Sequence, residues 1–192
     1  MAIATDTDSP QIRERRLTLG SVVLLIGILS VIAVMGFQLV RQNRAQPASG
    51  KQAPDFTVTT FDGETFTLSE HQGEIVVINF WGSWCPPCRN EAPHLETVYQ
   101  EYKDQGVTFI GITHIDEIPD SQAFIDEFGI SYMNAPDQRS VISDKYAIRG
   151  VPETYIIGRD GHIVEGGALL TEVNATILRN VLNQALMDDS ET

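Results

Sequence analysis

One junction limits what this chain can become more than any other part of it. Ile75-Val76-Val77-Ile78-Asn79-Phe80-Trp81 is a nearly unbroken apolar run of strand length, the pattern of a central strand buried on both faces. It leads into Trp84-Cys85-Pro86-Pro87-Cys88, and the stripe Leu95, Val98, Tyr99 and Tyr102 then marks a helix that ends near Gly106. A thiol at a helix N-terminus meets the positive end of the macrodipole and unpaired backbone N–H groups, and both favour thiolate over thiol. Cys85 stands at that end, so it is the expected nucleophile and is expected to be exposed. Cys88, a turn further in, is placed to attack the mixed disulfide that Cys85 forms. Pro86 suits the first helical turn, where its missing N–H costs nothing.

These are the only two cysteines among 192 residues. A scaffold stapled by several bridges is therefore excluded, and a bridge across so short a loop closes too little chain to stabilise the fold much. A zinc site wants about four ligands. No second cysteine pair exists, and His71, His94, His114 and His162 show no recognisable zinc spacing. Redox exchange by Cys85 and Cys88, with no metal and no cofactor beyond the pair itself, is the reading these residues favour.

The remaining elements follow from periodicity and turn residues. Phe56–Thr59 and Thr65–Thr67 flank Asp62-Gly63 and predict a β-hairpin, and Ser69 is a candidate cap for a short turn. Val107–Ile112 reads as a second apolar strand, and residues 120–128 as a helix stopped by Gly129. Ser140–Tyr146 reads as a short helix. Glu153–Ile157 and His162–Glu165 read as strands around the turn Arg159-Asp160-Gly161, and Leu170, Val173, Ile177, Val181 and Leu182 mark a final amphipathic helix. The order predicts an α/β domain over residues 53–192, with a central sheet, helices on both faces and an N-terminal β-hairpin extension.

Upstream, residues 1–16 form a polar tail. Leu17 to Val40 is a run of 24 residues without a charge, which as a helix spans roughly 36 Å, enough to cross a bilayer with some tilt. The run is longer than a signal-peptide core, and no convincing small-residue cleavage site follows it, so an uncleaved membrane anchor is expected. Residues 41–52 read as a linker. Basic residues flank the run equally, three before it and Arg41, Arg44 and Lys51 after it, so charge does not orient it. Residues 1–51 hold six basic and three acidic groups, which leaves seven basic and 23 acidic, net −16, for the rest. Such a domain repels phosphate backbones and excludes nucleic acid as a partner.

Gly150-Val151-Pro152-Glu153-Thr154-Tyr155 stands just ahead of an apolar strand, where a proline without an N–H belongs. Together with Phe80-Trp81-Gly82-Ser83-Trp84-Cys85-Pro86-Pro87-Cys88-Arg89-Asn90-Glu91 it carries a resemblance to the thioredoxin superfamily over about residues 53–186. More narrowly, the segment resembles the membrane-anchored TlpA/ResA/DsbE-like thiol:disulfide oxidoreductases. The resemblance implies that Val151-Pro152 is cis and lies beside Cys85 and Cys88, where the Val151 backbone pairs with a bound polypeptide. It implies supporting roles for Trp84, Pro86, Pro87 and Glu91, with Glu91 modulating the Cys88 thiol; a solvent-facing helix glutamate is the alternative. Glu153 resembles the cytochrome-maturation branch, with an ordinary surface charge as the alternative. Asp116-Glu117-Ile118-Pro119-Asp120 falls at that family's central insertion, where it either shapes partner recognition or is a plain loop. General thioredoxins carry a buried Asp where this chain has Asn79, and an amide cannot take over proton transfer.

The resemblance further implies a short tail in the cytoplasm, the redox domain outside the cell membrane, and a reductant for protein disulfides. The expected partners are proteins such as apocytochrome c, with a membrane thiol donor supplying electrons. A dithiol oxidase remains the alternative within the class. A copper- or haem-handling chaperone that uses the cysteines as ligands is the alternative outside it.

Overall fold

The computed structural model describes residues 19–42 and 45–188; the tail over 1–16 lies outside the described residues. The chain divides into two compact units, Met1–Arg44 and Ala45–Thr192. In the first, helix α1 covers Leu19–Gln42. Its described large apolar side chains, from Val22 to Phe37, are exposed. Among the described residues, no helix is long and apolar enough to cross a membrane.

The second unit starts earlier than the sequence suggests. Residues 45–52, read as linker, are paired into it: Gly50 N–H donates to Ile163 O, Ile163 N–H to Lys51 O, and Ala53 N–H to Gly161 O. Strands β1 (Thr57–Thr59) and β2 (Thr65–Thr67) form the expected antiparallel hairpin. Ser69 caps nothing; it lies inside a short 3₁₀ turn, Leu68–His71, with its N–H held by Asp55 Oδ1. The main sheet is built from β3 (Ile75–Trp81), β4 (Val107–Thr113), β5 (Met133–Pro136), β6 (Glu153–Ile157) and β7 (Ile163–Leu169), in the order β5-β4-β3-β6-β7. β3, β4 and β5 run parallel, β6 is antiparallel to β3, and β7 is antiparallel to β6. The strand β5 escaped the sequence reading because Met-Asn-Ala-Pro has weak strand character. An edge position tolerates its proline.

All seven residues of β3 are buried, and they alternate between two cores. Ile75, Val77 and Trp81 join Leu95 and Val98 of α2 (Pro86–Tyr102), Phe124 of α3 (Ile118–Phe128), and Leu178 and Leu182 of α5 (Ala175–Asp188). Val76, Ile78 and Phe80 join Phe56, Phe66 and Tyr155, with Ile142 and Tyr146 of α4 (Val141–Tyr146). Each fully buried side chain of this kind contributes about 1.5–3 kcal/mol. The inner face of α5 differs from the predicted stripe: Leu170 and Val173 precede the helix, Ile177 is 39 % exposed, and Leu178 takes the inward position. On β3 the same alternation turns one polar residue, Asn79, towards the α2 side.

Candidate active site

β3 and β4 end side by side, and the loops after both build the site. Trp81, the last residue of β3, stacks on Phe124 with ring centroids 4.5 Å apart and donates from Nε1 to Asn134 Oδ1 at 2.9 Å. A Cβ on Gly111 would fall 1.9 Å from that Oδ1, so only glycine leaves room for the bond. Residues 82–85 then turn into α2, with Cys85 as its N-cap and Pro86 in its first turn. Cys85 and Cys88 are joined as a disulfide. Cys88 N–H donates to Cys85 Sγ at 3.2 Å, so the helix end points a backbone donor at the predicted nucleophile.

Cys85 is not exposed as predicted: it is 2 % exposed, against 1 % for Cys88. Its cover comes from a segment 66 residues away, since Val151 O lies 3.4 Å from Cys85 Sγ. The Val151-Pro152 bond is cis. β6 pairs with β3 as Phe80↔Glu153 and Asn79↔Thr154, which sets Pro152 at the end of β3 beside the cysteine loop. Pro86 is exposed and Pro87 half-buried. Pro87, Val151, Pro152, Leu170 and Glu172 line an open groove along this edge.

Glu91 does not face solvent. It is fully buried, and its carboxylate accepts from Asn79 Nδ2 at 2.9 Å and from Val173 N–H at 3.0 Å. Burial raises its pKa to about 7, against the lowering effect of those two donors. Glu91 lies three residues after Cys88 on α2, and both are buried, so they share the inner face of the helix. Asn79 also donates to Thr154 Oγ1 at 2.9 Å, and so links the buried carboxylate to the strand that follows the cis-proline.

Glu153 is likewise no surface charge. It is buried and accepts from Arg149 N–H, Gly150 N–H, Gln46 Nε2 and Tyr155 Oη. Burial first, then the neighbouring Glu153, pushes the Tyr155 hydroxyl up. Asp116 closes the other side, accepting from Ser83 N–H and Oγ at 2.8 and 2.7 Å and from Ser121 Oγ at 2.9 Å. The acidic stretch is therefore a tie to the redox loop. Its signal was available: Asp116 closely follows β4, and strand C-terminal ends are where α/β sheets place their sites. Gln46 and Ile115 carried no sequence signal, and Val173 was marked only as part of the final helix stripe.

His114 is half-buried, with Nδ1 2.9 Å from Ser143 Oγ, and burial lowers its pKa despite Asp137 and Glu153 nearby. His94 is exposed. His71 pairs with Glu74, and His162 with Asp160. Among the described residues, no group of three or more His, Cys, Asp or Glu side chains is placed to hold a metal ion.

Residues 49–165 match the model of the AhpC/TSA family. The chain is 37 % identical over 144 residues to thiol-disulfide oxidoreductase ResA of Halalkalibacterium halodurans, covering 73 % of this chain and 82 % of that protein. Among solved structures it resembles a thiol:disulfide interchange protein of the thioredoxin family from Chlorobium tepidum TLS, with TM-score 0.65 and 26 % identity over 74 % of this chain and 99 % of that one. A secreted Mycobacterium tuberculosis disulfide oxidoreductase homologous to E. coli DsbE matches at TM-score 0.61 and 28 % identity, over 67 % and 95 % of the two chains.

Proposed function

Because this chain belongs to the AhpC/TSA family and is a thiol-disulfide oxidoreductase of the ResA/DsbE type, we propose that it works as a reductant of disulfides in extracytoplasmic proteins, apocytochrome c during cytochrome c maturation among them. The observation that carries this direction is the buried Glu91 carboxylate one turn from Cys88. A dithiol becomes a strong oxidant when its thiolate form is stabilised. A buried negative charge on the inner face of α2 does the opposite to Cys88, which favours the disulfide form of the enzyme and the reduced form of its partner.

The exchange has two steps. The Cys85 thiolate attacks one sulfur of the substrate disulfide, forming a mixed disulfide and releasing the other substrate sulfur as a thiolate, which takes up a proton. Cys88 then loses its proton and attacks Cys85 Sγ, which forms the Cys85–Cys88 bond and releases the second substrate thiolate, protonated in turn. Two electrons and two protons pass from enzyme to substrate. Glu91 accepts the Cys88 proton: with a pKa of about 7 it exchanges protons near neutrality. A membrane dithiol donor restores the reduced enzyme.

The uncharged run Leu17–Val40 supports a single-pass anchor, with the tail inside and the redox domain outside. Both parts are testable on the full chain. Its reduction potential should lie nearer the value of about −270 mV of a thioredoxin than the −120 mV or so of DsbA, and a value at the oxidising end would overturn the reductant reading. Protease added to cells stripped of their outer barrier should digest the domain, whereas protection would refute the topology.

A further inference from the structure

Two neighbouring residues of α2 are held by two neighbouring residues of the segment between β7 and α5. On the inside, Glu91 Oε2 accepts from Val173 N–H at 3.0 Å. On the outside, Glu172 Oε2 accepts from Asn90 Nδ2 at 3.4 Å. Glu91 and Val173 are buried, whereas Asn90 and Glu172 are exposed. The two bonds therefore run from the core to the surface, and a second carboxylate stands at the outer end. Glu172 also lines the groove with Pro87, Val151 and Pro152. An amide oxygen would accept from Asn90 equally well, so that bond alone does not call for a negative charge.

The charge of Glu172 acts on Glu91. Burial is the main cause of the raised Glu91 pKa, and the like charge of Glu172 adds to it. The other elements around Glu91 bring little charge to bear. On α2, Arg89 is drawn to Glu127 and lies over Phe124 and Phe128, His94 is exposed, and Glu96 is engaged by Ser131. Cys88 is the titrating neighbour on the inner face. β3 and β6 offer the neutral Asn79 and Thr154. Tyr132, ahead of β5, is buried; burial first, then Glu91 and Glu96, push its hydroxyl up. On α5, Arg179 is held by Glu101.

We propose that Glu172 is a positioning residue of the resolving step, which through Asn90, Val173 and its own negative charge makes the Glu91 carboxylate a stronger base for the Cys88 proton. Cys88 Sγ gives its proton to Glu91, and the electron pair left on the sulfur forms the bond to Cys85 Sγ. The inference rests on Glu91 accepting that proton, and not on the direction of electron flow. An exposed like charge is expected to shift the proton balance of Glu91 by about half a unit to one unit at low salt.

The test uses the reduced full chain and dithiodipyridine, which is uncharged near neutrality and so does not itself meet Glu172. Attack by Cys85 releases one coloured thiopyridone, and resolution by Cys88 releases the second, whose rate is followed against pH. In the wild type this rate should rise with pH and level off near 7. Glu172→Gln keeps an oxygen for Asn90 and removes the charge. It should resolve about two- to threefold faster than wild type at about pH 5.5 and about two- to threefold slower at about pH 8, because a weaker base is ionised earlier but pulls less. At about 1 M salt, where the Debye length is about 3 Å, the wild-type profile should move towards that of the variant. Crossing profiles of this kind do not arise from a loosened fold. A uniform slowing at every pH, or superimposable profiles, overturns the proposal. If Glu91→Gln still levels off near 7, the reading of Glu91 itself falls and the proposal with it. If Glu91→Gln loses the levelling and Glu172→Gln leaves it in place, the role of Glu172 alone is refuted.

Discussion

Cys85 and Cys88 are covered to nearly the same degree, 2 % and 1 % exposed, yet they stand in opposite surroundings. Around Cys85 lie a backbone donor at the helix end, the Val151 carbonyl, and a rim that carries exposed Trp84 and Pro86. Cys88 sits on the inner face of α2, one turn before the buried Glu91, which is bonded to Asn79. The surface area of a sulfur therefore does not assign its role here. What differs is which groups can approach it and what charge sits behind it. Each side also has its own buried carboxylate. Glu153, with four donors, fixes the backbone that leads to Val151. Glu91, with two, is left close to neutrality.

The hardest way to break this comparison is to remove the sulfurs one at a time. Cys88→Ser should accumulate mixed disulfides with partner proteins, because attack survives and resolution does not. Cys85→Ser should trap nothing. Both are read on a non-reducing gel, and the opposite pattern would reverse the two roles.

Removing Glu153 should be the next largest effect. Glu153→Ala leaves the buried Tyr155 hydroxyl without its acceptor, at a cost of about 1–3 kcal/mol for a buried unsatisfied group, and releases the N–H groups of the exposed residues Arg149 and Gly150. A lowered thermal midpoint is expected, with slower exchange as residues 149–151 loosen. An unchanged midpoint would mean that water replaces the carboxylate, and that the loop is held by the strand pairing of β6 alone.

Glu91 sharpens the comparison most finely. Its folded pKa of about 7 stands above the ordinary 4.5, so the folded state binds the proton more tightly than the unfolded chain does. Its contribution is fully present below pH 4.5 and is lost as pH rises through about 7, by at most about 3 kcal/mol. Denaturant unfolding of wild type and Glu91→Gln should show that fall with rising pH only in the wild type. The mutant should also show lower apparent pKa values for the cysteine pair, by thiolate absorbance, and resolution slowed by about tenfold near neutral pH. Superimposable profiles would leave Glu91 as a packing residue only.

Reading the sequence located the reactive pair and its helix because both signals are local. The spacing Cys85–Cys88, the buried run before it and Pro86 in the first turn all lie within one strand and one turn of helix. The hairpin at Asp62-Gly63 and the helix stop at Gly129, with φ 60°, were legible for the same reason: a turn's backbone is chosen by the residues in it. The β5 edge strand was not, since Met133–Pro136 is a strand by pairing and not by propensity. Only the tertiary structure decided that Cys85 is covered, that Glu91 is buried, that Val173, 82 residues on, holds it, and that Asn79 reaches Thr154 across the register of β3 and β6. Burial and hydrogen-bond partners are properties of segments brought together from far apart in the chain, and the sequence near a residue does not contain them.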